Sequence, residues 1–223
     1  MRRICALFLA MSLLCIPVRG VQEEKYVALT FDDGPSGRFT RRLLERLEAR
    51  NAKATFLLCG YRIREYRDTA QMVFQSGHEI GLHGCSHKCM GVMSRPEVTQ
   101  EIRETLELIP QELQVSFLRP PGGKLNDAVR QAAKEADLSI LNWSLDTRDW
   151  ATDNEQEIVQ RVLKNVKTGD VILMHDMSDS SVNAALTIID ELTRQGFCFV
   201  TASELAQKSG MTPQPGMVYN RFS

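Results

Sequence analysis

The feature that most constrains this chain is a sevenfold alternation of strand-like and helix-like segments. Short apolar, β-rich runs are expected at residues 26–31, 54–58, 79–82, 117–119, 138–143, 171–174 and 197–201. Between them apolar residues recur at three- and four-residue spacing, as in a helix with one buried face. Leu43, Leu44 and Leu47 make one such face. Ile63, Tyr66, Ala70, Val73 and Phe74 make a second, read as one helix ending at Gly77. A third, with Val98, Ile102, Leu106 and Ile109, opens on a capping box of Ser94 and Glu97. Helices are also expected over 126–136, around Ile158–Val166, around Leu186, Ile189 and Leu192, and from Ser203. Repeated β-then-α units without a break in composition indicate an α/β fold with a parallel sheet. An open doubly wound sheet and a closed barrel both satisfy that pattern. No phosphate-cradling glycine loop follows the first strand, which weighs against a nucleotide cofactor. A body of roughly 200 residues lies at the lower limit for an eightfold barrel, so a shortened TIM-like (β/α)7–8 barrel is expected.

Residues 1–20 are expected to be a signal peptide: Arg2 and Arg3 precede an apolar run over 4–16, and Gly20 offers a cleavage point. The chain is then secreted or extracytoplasmic; an uncleaved leader would leave it anchored to a membrane. Cleavage removes Arg2, Arg3 and Arg19 and no acid, leaving 24 basic and 28 acidic residues, a charge of −4. That balance lacks the basic footprint of a nucleic-acid binder. Four cysteines remain, Cys59, Cys85, Cys89 and Cys198, with no CxxC pair to make a thiolate zinc site. They are read as idle or buried thiols, with one disulfide chemically available in an oxidising compartment. Residues 21–210 form one domain, and 211–223, with Pro213, Pro215 and Gly216, reads as an irregular tail.

Five polar clusters fall just past the carboxyl ends of predicted strands. They are TFDDGP with Asp32 and Asp33, HGCSH with His83 and His87, RPPGG with Arg119, DTRDW with Asp146, Asp149 and Trp150, and ILMHD with His175 and Asp176. Each has a plain explanation alone: DDGP is a good turn, H-x-x-x-H recurs by chance, and Asp146 and Asp176 read as loop acids. In a barrel, however, those five ends share one rim, where catalytic groups gather from several strands. Two imidazoles and a carboxylate are a suitable ligand set for a catalytic divalent ion with an open position. One aspartate of the pair would be the third ligand and the other a base toward water. His175 could protonate a leaving group. Arg119 and Asp149 are natural supports, one for the base and one for the acid. The same ligand set also suits non-haem iron, which keeps a different metalloenzyme as a rival reading.

In this order, TFDDGP, H-x-x-x-H, R-P-P-x-G, D-x-x-D-W and L-x-H, the chain resembles the polysaccharide deacetylases of carbohydrate esterase family 4, the NodB homology domain, from Thr30 to about Ser209. The resemblance implies a distorted (β/α) barrel and a hydrolase that removes N-acetyl groups from amino sugars of a polysaccharide, releasing acetate. It implies Asp32 as general base and Asp33, His83 and His87 as ligands of a divalent metal, usually zinc. Arg119 would hold the base, and Asp149 would orient His175, the general acid. Trp150 and Leu173 would wall the acetyl group, and the backbone at Gly122 would help stabilise the oxyanion. The expected partner is an acetylated polysaccharide, with peptidoglycan of the cell wall favoured. Chitooligosaccharide, exopolysaccharide or an acetyl ester are the alternatives, and a non-catalytic carbohydrate-binding relative is a further rival. The sequence sets no oligomeric state. Two positions depart from the family pattern: Gly84 stands where a Ser or Thr commonly supports the loop, and Gly122 where a tyrosine is common.

Overall fold

The strand that organises the structure is β1, Lys25–Asp32, whose last six residues are all buried. A run buried on both faces is what a parallel sheet covered by helices demands. The computed structural model describes residues 24–223; the expected signal peptide lies outside the described residues. After β1 come α1 (Arg38–Glu48), β2 (Thr55–Leu58), α2 (Gly60–Glu65), α3 (Arg67–Gln75), β3 (Glu79–Leu82), α4 (Arg95–Leu106) and β4 (Phe117–Leu118). There follow α5 (Asp127–Glu135), β5 (Ser139–Leu141), β6 (Leu145–Asp146), α6 (Glu155–Asn165), β7 (Val171–His175), α7 (Asp179–Arg194), β8 (Phe197–Val200), α8 (Ala202–Lys208) and β9 (Val218–Tyr219).

Eight strands run in the order β6-β7-β1-β2-β3-β4-β5-β9, every pair parallel, and β8 pairs with the first half of β1. The sheet curls into an incomplete barrel with helices around it, the distorted α/β barrel expected. Its principal core joins Phe31, Phe56, Leu58 and Ile172 of the sheet to Leu43, Leu47, Ile102, Val162 and Ile188 of the helices. Burying each such side chain contributes about 1.5–3 kcal/mol. The capping box at Ser94 forms as expected: the Ser94 N–H donates to Glu97 Oε2 at 2.8 Å.

Three expectations need correction. The helix expected through Ile63–Phe74 is two helices, broken at Tyr66, whose φ of −118° and ψ of 52° leave the helical region. The Tyr66 ring packs against Gly37, 3.1 Å from where a Cβ there would stand. The loop expected around DTRDW contains β6, because Leu145 and Asp146 find open positions beside Ile172 and Leu173. The tail 211–223 is not irregular throughout. Its β9 pairs with β5, and Phe222 is fully buried, stacked on Tyr219 with ring centroids 5.4 Å apart. Beyond β9, Arg221 bridges to Asp170 just before β7, and the Phe222 N–H donates to Gly169 O at 2.9 Å. The chain's end thus spans from β5 toward β7 and narrows the barrel's gap. Gly169 must be glycine there, at φ +85° with Phe222 O only 2.2 Å from any added Cβ.

Candidate active site and metal centre

Parallel register brings the site together. Asp32 at the end of β1 lies beside Leu57 of β2 and His175 of β7. Leu82 of β3 pairs with Leu118 of β4, so the next residues, His83 and Arg119, are neighbours at the same rim. The expected residues Asp32, Asp33, His83, His87, Arg119, Asp149 and His175 form one connected cluster, in two linked halves.

The first half centres on Asp33, which adopts a left-handed backbone, φ +70°, unusual for a side chain other than glycine. That turn separates it from Asp32 and aims its carboxylate at the histidines. Asp33 Oδ1 lies 3.2 Å from Nε2 of His83 and 2.9 Å from Nε2 of His87. Burial opposes ionisation of Asp33, but the His83 and His87 imidazoles outweigh it and hold the carboxyl far below its usual range. His83 is buried and its Nδ1 donates to Arg119 O at 2.7 Å. In a neutral imidazole that leaves the lone pair on Nε2, facing an anionic oxygen. Asp33 Oδ1 is itself buried without a hydrogen-bond donor among the described residues. Converging lone pairs from two imidazoles and a carboxylate, all within 4.8 Å of one another, fit a bound cation. Sequence chemistry left either aspartate as the ligand; the geometry turns Asp33 toward the imidazoles.

Asp32 is engaged differently. Its Oδ1 accepts from Arg119 Nη1 at 2.6 Å, and its Oδ2 is 3.7 Å from His83 Nε2. Arg119 is fully buried, yet its charge is satisfied. Nη1 also donates to Thr30 Oγ1, Nε to Leu141 O and Nη2 to Asn142 O, at 2.8, 2.7 and 2.9 Å. One residue therefore fixes the Asp32 carboxylate through its guanidinium and the His83 tautomer through its carbonyl.

The second half is His175 and Asp149. His175 Nδ1 and its backbone N–H both reach the Asp149 carboxylate, at 2.9 and 2.8 Å. Burial works against a charged His175, but Asp149, joined by Asp32 and Asp33, outweighs it and pushes the imidazole up to about 9. His175 Nε2 faces Asp33 Oδ2 from 4.0 Å, so its free nitrogen looks into the cluster.

The expected substrate-contacting residues stand one to three positions from cluster residues in the chain. Leu173, two residues before His175 on β7, is buried on the same face of the strand. Trp150, next to Asp149, is 62% exposed, with the Arg148 guanidinium 5.6 Å from its ring centroid. Gly122 adopts φ +64° with only Lys124 Cγ within 4 Å of an added Cβ. The backbone conformation, rather than crowding, disfavours a side chain there. Asp146 accepts from the Arg148 N–H at 2.8 Å and shapes the turn before Asp149.

Sequence reasoning missed three supporting residues. Thr30 bridges Arg119 to Ile172 O, donating to that carbonyl at 2.8 Å. Thr147 donates to Leu173 O at 2.9 Å and lies 3.2 Å from Asp149 Oδ1. Asp176, read as a loop acid, is wholly buried behind the DDGP turn, where Thr40 Oγ1 donates to its carboxylate and Ser36 Oγ to its carbonyl. Burial pushes its carboxyl up to about 6. Its place beside His175 was the only available signal. Cys59, Cys85, Cys89 and Cys198 are free thiols. A cleft of about 400 Å³ lined by Glu48, Lys53, Met72 and His78 lies at the amino ends of β2 and β3, away from this rim.

Residues 19–141 match the family described as polysaccharide deacetylase. The chain belongs to the polysaccharide deacetylase family. This family member is 39% identical over 188 residues to a peptidoglycan-N-acetylglucosamine deacetylase of Bacillus cereus, covering 82% of this chain and 88% of that one. It is 35% identical over 186 residues to the peptidoglycan-N-acetylmuramic acid deacetylase PdaC of Bacillus subtilis, covering 82% of this chain and 39% of that longer protein. Its fold matches a family 4 acetyl xylan esterase from Clostridium thermocellum, solved in complex with a cobalt ion, with TM-score 0.80 and 32% identity. The match covers 88% of this chain and 98% of that one.

Proposed function

We propose that this family member is a metal-dependent polysaccharide N-deacetylase with Asp33, His83 and His87 holding a divalent ion, zinc foremost. The observation that carries this reading is the buried Asp33 Oδ1, which has no hydrogen-bond donor among the described residues and faces Nε2 of both histidines. When bound, the ion would polarise the acetyl carbonyl and make water more acidic. Asp32, oriented by Arg119, accepts the proton of the attacking water. His175, charged beside Asp149, gives a proton to the departing sugar nitrogen. Water and the N-acetyl sugar become acetate and a free amine. Leu173 and Trp150 bound the acetyl methyl on the apolar side, and the backbone at Gly122 adds a dipole toward the developing oxyanion.

The substrate we favour is peptidoglycan, supported by the Bacillus relatives named for its amino sugars. An acetyl-ester substrate is the second reading, supported by the likeness to the acetyl xylan esterase. Export through a leader over residues 1–20 is part of the proposal, because a wall polymer lies outside the cytoplasm. The test is acetate release by residues 21–223 on peptidoglycan, chitooligosaccharide, exopolysaccharide and acetylated xylan, with and without chelator. Activity that produces free amine, disappears on chelation and returns with zinc is expected. Full turnover by rigorously metal-free protein would sink the mechanism.

A further inference from the structure

The loop that carries the two imidazoles is short and conformationally costly. Gly84 has φ +82° and His87 φ +59°, so left-handed residues stand within five positions. His87 is not a residue type that enters that region freely. On one side the loop's carbonyls are taken by the start of α2: the Gly60 N–H donates to Gly84 O at 3.0 Å and the Tyr61 N–H to Cys85 O at 2.8 Å. On the other side its N–H groups meet a single side chain. Glu101 Oε2 accepts from the backbone N–H of both Cys85 and Ser86 at 2.7 Å, and Oε1 accepts from Ser86 Oγ at 2.5 Å. These are charge-assisted bonds, the stronger kind.

Glu101 is well placed to act as a fixed post. It stands inside α4 between Val98 and Ile102, both buried in the core, on a helix whose first turn is capped. Its Oε2 lies 3.2 Å from where a Cβ on residue 84 would be. The bare Gly84 thus leaves the carboxylate room to approach, and supplies no hydroxyl to brace the loop. We infer that Glu101 is a positioning residue for the metal centre, clamping the backbone between His83 and His87 so that both imidazoles face Asp33. The inference rests on the metal reading of Asp33, His83 and His87. Glu101 touches neither histidine ring; it acts through the loop.

The test is zinc affinity of the metal-stripped chain, read by competition with a chromophoric chelator. Glu101→Ala deletes all three bonds. The loop then spends part of its time with His87 turned away, and zinc affinity is expected to fall roughly 10–100-fold, as for outer supports of metal ligands. Activity of this variant is expected to recover toward the parent's at excess zinc, which a generally misfolded protein would not do. Glu101→Gln preserves the geometry. Its Oε1 accepts from both backbone N–H groups and its Nε2 donates to a rotated Ser86 hydroxyl, so its affinity should lie much nearer the parent's. Glu101→Ala binding zinc as tightly as the parent overturns the inference. If Glu101→Ala fails to fold, Glu101→Asp decides: its carboxylate, one methylene shorter, stops short of the Cys85 and Ser86 N–H groups, so weaker binding supports the clamp and parental affinity overturns it. A parent chain that takes up no divalent ion fails the metal reading itself, and the clamp falls with it.

Discussion

Replacing Asp149 with Asn tests the acid half of the site. The Asp149 carboxylate receives two bonds from one residue, from Nδ1 and the backbone N–H of His175, at 2.9 and 2.8 Å. An amide of the same size can accept only on its oxygen, so its NH2 must face one of these two donors. Either a main-chain bond is lost or the imidazole turns to the other tautomer. The electrostatic part is sizeable: raising His175 from 6.5 to about 9 against the pull of burial corresponds to roughly 3 kcal/mol in favour of the imidazolium. Asp149 is the largest favourable contributor, so in Asp149→Asn burial should return His175 to its ordinary value or below. The sign follows from linkage. A pKa raised by folding stabilises the protein fully below about 6.5, and that contribution is lost as pH rises through about 9. Denaturant unfolding of the metal-free proteins should therefore show the parent's advantage over Asp149→Asn largest at pH 6 and shrinking by pH 9.5. A cation held by Asp33, His83 and His87 would offset the Asp32 and Asp33 charges, so with metal added the alkaline limb of the parent's rate profile should fall between 6.5 and 9. The variant's limb should shift toward acid, with acetate release reduced roughly 10²–10⁴-fold at neutral pH. An unmoved alkaline limb together with parental rates would refute the assignment of Asp149 and His175 as a tuned acid pair.

The adjacent aspartates should fail in different ways. Asp33→Asn is expected to lose metal and activity, whereas Asp32→Asn keeps metal and loses roughly 10²–10⁴-fold in rate. Metal content read beside acetate release checks both, and the opposite pattern would reverse their roles. Arg119→Met leaves the Asp32 carboxylate buried without its counter-charge, and breaking such a pair costs about 3–5 kcal/mol. Denaturant midpoints with unchanged m-values measure it; a stable Arg119→Met protein would contradict the arrangement. Phe222→Ala, in a fully buried position, should destabilise by about 3–5 kcal/mol, while a loss below about 1 kcal/mol would mean the tail is only loosely docked.

What this sequence determined alone is what depends on near neighbours. The alternation of apolar periods named the seven main strands, because burial of one helical face or of a whole parallel strand is written in consecutive residues. The Ser94–Glu97 cap was legible because its donors and acceptors lie three residues apart. The five polar clusters were legible because each directly follows a strand, and parallel strands present their ends on one rim. Tertiary structure decided the rest, which joins residues far apart in the chain. The break at Tyr66 serves contact with Gly37, and β6 exists because β7 offers it an edge. β9 reads as irregular from its sequence, after two prolines, and becomes a strand because β5, nearly eighty positions earlier, supplies its hydrogen-bonding partner. The choice of Asp33 over Asp32 as the residue facing the imidazoles rests on one left-handed backbone turn and on a guanidinium 87 positions away. Asp176 behind the turn carries no local mark beyond its place beside His175, and Glu101 beneath the loop carries none. Their environments come from elements 136 and 15 residues distant, and burial and partner geometry are properties of that packing.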